Sequence, residues 1–312
     1  MESSFLRWLE ETTPTSPAVA LGIGDDGAIL RGGPEDWVVA ADMLLDGVHF
    51  DLQECGGRAA GRKALAVNLS DLAAMCATPT AALVTVALPP NAAQLAREIH
   101  GGIVDLAAEF ELAICGGDTN CWAQSLAISV TAIGKVTAGR AWKRSGGQPG
   151  DVLLATGSFG GSLSGKHLTF TPRVREALVI GGAIEVHAAI DVSDGVAIDC
   201  SRLAAASECG VALRLDRIPV SAAALELSPS AAGGEEQSAR SALDRALSDG
   251  EDFELVIAVA PSELERLPDS DEFPSLTQIG VCIDRPGLWS QTAADEELRP
   301  LTAAGFLHGE SR

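Results

Sequence analysis

The sequence predicts an α/β (α+β) protein built as two successive α/β domains. Strand-like and helix-like runs alternate from one end to the other, the signature of mixed α and β layers. A segment rich in Gly and basic residues, GRAWKRSGGQPGD (139–151), separates two blocks that each contain both kinds of run. It sets the boundary between domains 1–138 and 139–312. A chain of 312 residues with 46% hydrophobic content is long enough for two ordinary cores.

In the first block the apolar runs DWVVAAD (36–42), AALVTVALP (81–89) and LAISVTAIGKV (126–136) read as strands, and 58–76 and 91–110 as helices. In the second, DVLLATG (151–157), VALRLD (211–216), FELVIAVA (253–260) and the run at 279–283 read as strands. Helices are expected at 172–180, 195–208 and 240–247. The stretch 221–240 is small and polar without periodicity, and reads as a long surface loop.

The net charge of −21 excludes a polyanion partner such as DNA or RNA, whose binding needs clustered Lys and Arg. Acidic excess is a solubility feature. The seven cysteines form no CxxC pair and no metal-ligand spacing, as expected of reduced thiols in a cytosolic protein. The start MESSFLRWLE lacks a basic and apolar leader, and no apolar run approaches the roughly 20 residues of a membrane span. A cytoplasmic, soluble protein without membrane partners is expected.

Carboxylates gather at loop-like positions beside Gly, Ser, Thr or Asn. They are Asp25 and Asp26 in GIGDDG, Asp42 after the first strand, Asp71 in NLSDLAAM, Asp118 in CGGDTN, and Asp191 and Asp194 in IDVSDG. Magnesium prefers such oxygen ligands and completes its shell with water and substrate phosphate. Each Asp alone also fits a helix cap or a turn, and Asp194 in particular fits a cap for the helix at 195–208. Asp25 is suited to holding its own loop through backbone amides. GGSLSGKH (160–167) nearly matches a phosphate-binding P-loop, but His167 stands where the metal-binding hydroxyl belongs and Pro172 interrupts the helix that should follow.

In order, GIGDDGAIL, AADMLLDGVHF, GRKALAVNLSDLAAM, CGGDTN, GKVTAGRAWKRSGGQPGDVLLATG, KHLTFTPR, IDVSDG and LSDGEDFEL resemble the thiamine-monophosphate kinase family. That family belongs to the superfamily of aminoimidazole ribonucleotide synthetase and selenophosphate synthetase. The match runs from residue 21 to about 257, with a weaker echo at the C-terminus. The resemblance implies phosphorylation of thiamine monophosphate to thiamine diphosphate, with ATP as co-substrate and several Mg2+ ions. It also implies a homodimer in which the N-terminal domains pair through their sheets. By motif, Asp26, Asp42, Asp71, Asp118, Asp191 and Asp194 correspond to metal-holding carboxylates, with Ala41 able to offer a backbone carbonyl. Gly117, Asp118, Arg144 and Ser193 correspond to nucleotide contacts, and His49, Glu251 and Phe306 to substrate contacts. Two departures stand out: Ala40 and Ala41 replace the hydroxyl residues common before Asp42, and the stretch between Gly165 and Lys166 is shortened.

The chemistry implied needs no protein base, since the second pKa of a phosphate monoester is about 6 and the nucleophile is already largely dianionic. The obstacle is repulsion between two anionic groups, which cations held by carboxylates reduce. Two other readings remain open at this point. One is a superfamily enzyme with another acceptor; the other is a nucleotide- or metal-binding protein without turnover, which the alanines and the shortened loop keep in play.

Overall fold

A computed structural model describes residues 8–9, 11–14, 16–228, 240–267 and 276–306. The chain divides into two compact units, Glu10–Ala141 with Leu168–Val174, and Met1–Leu9 with Trp142–His167 and Arg175–Arg312.

The first unit is one six-stranded sheet covered by two helices. Its strands are β1 (Val19–Leu21), β2 (Ala28–Arg31), β3 (Glu35–Leu45), β4 (Thr78–Leu88), β5 (Ala113–Cys121) and β6 (Ala127–Thr137), in the order β1-β2-β3-β6-β4-β5. Only β4 and β5 pair in parallel. Val38, Ala40 and Leu44 of β3 and Ile128, Val130 and Ala132 of β6 alternate into the core, as a sheet with one covered face requires. The covering helices are α1 (Leu52–Ala74) and α2 (Ala93–Glu109).

Helix α1 begins at Asp51, whose carboxylate accepts from the amides of Gln53 and Glu54 at 2.8 and 3.3 Å. Gly56, at φ 73°, breaks the helix after its first turn, which is why the sequence pattern locates the helix only from residue 58. Beyond the break nearly every side chain is buried, the polar Lys63, Asn68 and Ser70 included, so α1 is enclosed all round. The two helices touch backbone to backbone: a methyl group on Gly61 would overlap the Ile99 carbonyl, and one on Gly102 the Arg58 carbonyl.

The second unit holds a seven-stranded sheet in the order β13-β12-β9-β11-β7-β10-β8. Its strands are β7 (Val152–Ala155), β8 (Ala188–Asp191), β9 (Gly210–Arg214), β10 (Leu255–Val259), β11 (Thr277–Ile283), β12 (Gly287–Thr292) and β13 (Asp295–Pro300). Only β12 and β9 are parallel. Helices α3 (Val174–Ala183), α4 (Val196–Ala206), α5 (Ala222–Glu226) and α6 (Ala242–Ser248) complete it. The core gathers Leu153, Phe159, Ile190, Leu203, Val211, Val256 and Ile279 around α4 and the sheet.

Several expectations need correction. CGGDTN is not a loop but part of edge strand β5, although its composition disfavours strands. The stretch expected as a loop at 221–240 starts with α5, capped by the Ser221 hydroxyl, while 229–239 lie outside the described residues. The strand expected from residue 253 begins at Leu255, because Glu251 and Phe253 adopt φ 60° and 49°.

Candidate active site

In the first unit the polar residues of α1 organise the site. GIGDDG is the connection between β1 and β2, and within it the Asp26 amide donates to the Asp25 carboxylate at 3.0 Å, the loop-holding role expected of Asp25. Asp26 is buried, and one of its carboxylate oxygens lies within 4.8 Å of one on Asp71. Two carboxylates that close repel unless a cation neutralises them. The donors are hard oxygens on separate elements, a set that fits magnesium.

Asn68 is buried one turn before Asp71. Its side-chain carbonyl accepts from the Asp42 amide at 3.1 Å, while its NH2 donates to the Ala64 carbonyl at 3.0 Å. Asp42 is thereby tied to α1 and shares the covered face of β3. Ala41 projects to the open face opposite Thr131. Asp118 is also on the open face, level with Thr85, which pairs with Ser129, which in turn pairs with Met43. The register therefore separates Asp42 from Asp118. Gly117 precedes Asp118 where β5 passes so close to Val84 that no Cβ fits. Asp118 accepts from the Thr119 amide at 2.9 Å.

His49 closes the turn after β3. Its amide donates to the Leu45 carbonyl at 3.0 Å, and its Nδ1 accepts from the Leu45 amide at 3.0 Å.

In the second unit Asp191 ends β8, buried, and Ser193, Asp194 and Gly195 form the turn into α4. Asp194 does not cap α4. The cap position is Gly195, and the entry amides of Asp194 and Gly195 donate instead to Asp199, at 3.0 and 3.1 Å. Arg202 donates to Asp194 at 2.5 Å and to Asp199 at 2.7 Å. Burial, then the Asp194 charge, push the Asp199 carboxyl above its ordinary range, while Arg202 and Arg144 pull it down.

The same turn collects two predicted substrate contacts. The Glu251 amide donates to the Ser193 carbonyl at 2.6 Å, and the Phe306 amide to the Asp194 carbonyl at 2.9 Å. Glu251 and Phe253 hold positive φ, a strain that persists only where surrounding structure imposes it. Arg144 is anchored by Ser207, whose hydroxyl donates to the Arg144 carbonyl at 2.9 Å and accepts from the Gly147 amide at 3.0 Å.

The Gly-rich loop at 157–165 is no phosphate cradle. Its Gly160 amide donates to Asp252 at 2.9 Å and its Gly161 amide to Asp249 at 3.0 Å, and the Ser162 hydroxyl also donates to Asp252. Lys166 donates to Glu254 at 2.9 Å and to the Ser158 carbonyl at 3.0 Å. The chain's own carboxylates occupy the amides that a phosphate would need.

Sequence reasoning thus misses Asn68, Asp199, Arg202, Asp252 and Glu254. Asp199 and Arg202 stand three apart on one helical face, and Asn68 interrupts the apolar run ALAV, so the signals are present but unspecific.

Residues 24–136 match the family described as AIR synthase related protein, N-terminal domain, and residues 148–290 the corresponding C-terminal domain. A thiamine-monophosphate kinase of Rhodopirellula baltica is 42% identical over 325 residues, spanning 100% of this chain and 98% of that protein. The crystal structure of thiamine-monophosphate kinase from Stenotrophomonas maltophilia K279a is similar at a TM-score of 0.72, with 33% identity, over 94% of this chain and 96% of that one. A structure described as AaThiL complexed with AMPPCP and TMP shares the fold at a TM-score of 0.79 and 22% identity, over 98% of this chain and 95% of that one.

Proposed function

Because the chain belongs to the AIR synthase related family, and within it to the thiamine-monophosphate kinases, we propose how its residues divide the work of that reaction. The protein phosphorylates thiamine monophosphate with ATP, giving thiamine diphosphate and ADP. An oxygen of the thiamine phosphate attacks the γ-phosphorus of ATP, the bond from that phosphorus to the β-phosphate bridging oxygen breaks, and ADP departs. The nucleophile is already largely ionised at neutral pH, so no side chain has to take a proton.

The close approach of Asp26 to Asp71 is the observation that carries the assignment of magnesium to this site. In this reading Asp26, Asp42 and Asp71 hold ions on the α1 side of the sheet, Ala41 offers only its carbonyl, and Asp118 serves from the open face. Asp191 and Asp194 are the metal-holding carboxylates of the second unit, with Arg202 setting the orientation of Asp194. When held there, magnesium would supply charge neutralisation of the phosphates and a template for in-line transfer. Gly117, Asp118, Arg144 and Ser193 contact the nucleotide; His49, Glu251 and Phe306 contact thiamine monophosphate.

A homodimer accounts for the open face of the first sheet, where Met43 is 60% and Leu83 39% exposed. A second copy covering that face through its own sheet also approaches Asp118. No helix of the described residues is long and apolar enough to cross a membrane. None of the seven cysteines forms a disulfide, which supports a cytoplasmic setting.

The test is ADP release with ATP and magnesium, comparing thiamine monophosphate, free thiamine and no acceptor, with the products separated by chromatography. Thiamine diphosphate formed only from the monophosphate is expected. Tight magnesium-dependent ATP binding without turnover on any acceptor would overturn the reading in favour of a nucleotide-binding protein.

A further inference from the structure

Lys63 of α1 is 0% exposed, and nothing in the chemistry above uses it. Its ammonium donates to the His49 carbonyl at 2.5 Å. An ammonium in an interior is sustained only where fixed dipoles replace its water. The His49 carbonyl is such a dipole, and it belongs to the turn that the two Leu45–His49 hydrogen bonds already close.

These bonds also fix the proton on the imidazole. A backbone amide can only donate, so Nδ1 presents a lone pair to Leu45, and the ring proton is on Nε2. With Nδ1 engaged and Nε2 protonated, His49 has no lone pair left with which to act as a base. That agrees with a nucleophile that needs none.

We propose that Lys63 is a positioning residue that locks the 45–49 turn and holds His49 as the neutral Nε2–H tautomer, a hydrogen-bond donor to an acceptor atom of thiamine monophosphate. The substrate clause rests on the assignment of His49 made above. A phosphate oxygen and a pyrimidine nitrogen share this acceptor chemistry.

Nitrogen NMR of 15N-histidine-labelled protein, with the His49 signals assigned through His49→Gln, reads the tautomer directly. A pyridine-type Nδ1 and a pyrrole-type Nε2 are expected at neutral pH in the free protein; an imidazolium or Nδ1–H pattern overturns the proposal. Adding thiamine monophosphate should shift Nε2. A shift with free thiamine as well identifies the heterocycle, and a shift with the monophosphate alone identifies the phosphate. Binding by calorimetry without any Nε2 shift removes the donor role.

For Lys63→Met, a mixed tautomer and a rise of about tenfold in KM for thiamine monophosphate, larger than any change in kcat, are expected, with partial recovery in Lys63→Arg. A folded Lys63→Met with the wild-type tautomer and KM overturns the positioning role. If Lys63→Met does not fold, Lys63→Gln carries the same criterion: an altered tautomer or KM supports the role, and wild-type values for both overturn it. Turnover of thiamine monophosphate combined with the wrong tautomer sinks this inference alone. Absence of both binding and turnover sinks the substrate assignment, and the substrate clause with it.

Discussion

Asp26 and Asp71 approach to a separation that two bare carboxylates avoid, and Asp118 stands exposed on an edge strand beside Thr119 and Asn120. If cations are what these positions serve, removing one charge removes function and leaves packing untouched. Asp71→Asn and Asp118→Asn should each lower kcat/KM for thiamine monophosphate by about a hundredfold or more, with circular dichroism and Tm preserved. Unchanged turnover in both would take them out of the metal shell. The carboxylates were legible in the sequence because Asp beside Gly, Ser or Asn is conspicuous. Their partners were not. Asn68, Asp199 and Arg202 look like any polar residue on a helix until the fold shows what lies within reach: the Asp42 amide for Asn68, and the Asp194 turn for the other two.

Among the elements, long periodic runs such as β3, β6 and α2 were readable, while β1, β2 and β8 are three or four residues long, too short for a period to show. Strand β5 was hidden for a different reason: Gly117 is there for close approach to the Val84 backbone of β4, and tertiary contact overrides local propensity. The same conflict governs Gly102 in α2. An alanine in a helix interior is ordinarily better than glycine by about 1 kcal/mol, but here its methyl would strike the Arg58 carbonyl. Gly102→Ala should therefore lower stability by about 1–3 kcal/mol in thermal or denaturant unfolding; a gain would show that the helices can move apart at little cost.

The loop at 157–165 carries a pH signature. Burial, the largest cause, together with the Glu254 charge pushes the Asp252 carboxyl up to about 6 from 3.8, against Lys166, the Ser162 hydroxyl and the Gly160 amide. A carboxyl whose pKa is raised on folding contributes stability fully below the unfolded value and loses it as pH rises through the folded value. The stability of wild type relative to Asp252→Asn should accordingly fall between pH 4 and 6. A flat or rising difference would mean that Lys166 and the loop amides outweigh burial.

At the scale of the whole molecule, the open face of the first sheet calls for a cover. Met43→Glu places a charge on that face, and light scattering should show the mass falling from two chains to one. A wild-type protein that is monomeric at micromolar concentration would end the dimer reading. Helix α1 has a consequence of another kind. Because it is enclosed on nearly every side, its amides should exchange with deuterated solvent only when the first unit opens as a whole. The anchors of Asp42 and His49 lie on that slowest-exchanging segment, so loss of these contacts and loss of the first unit's fold should occur in a single cooperative step.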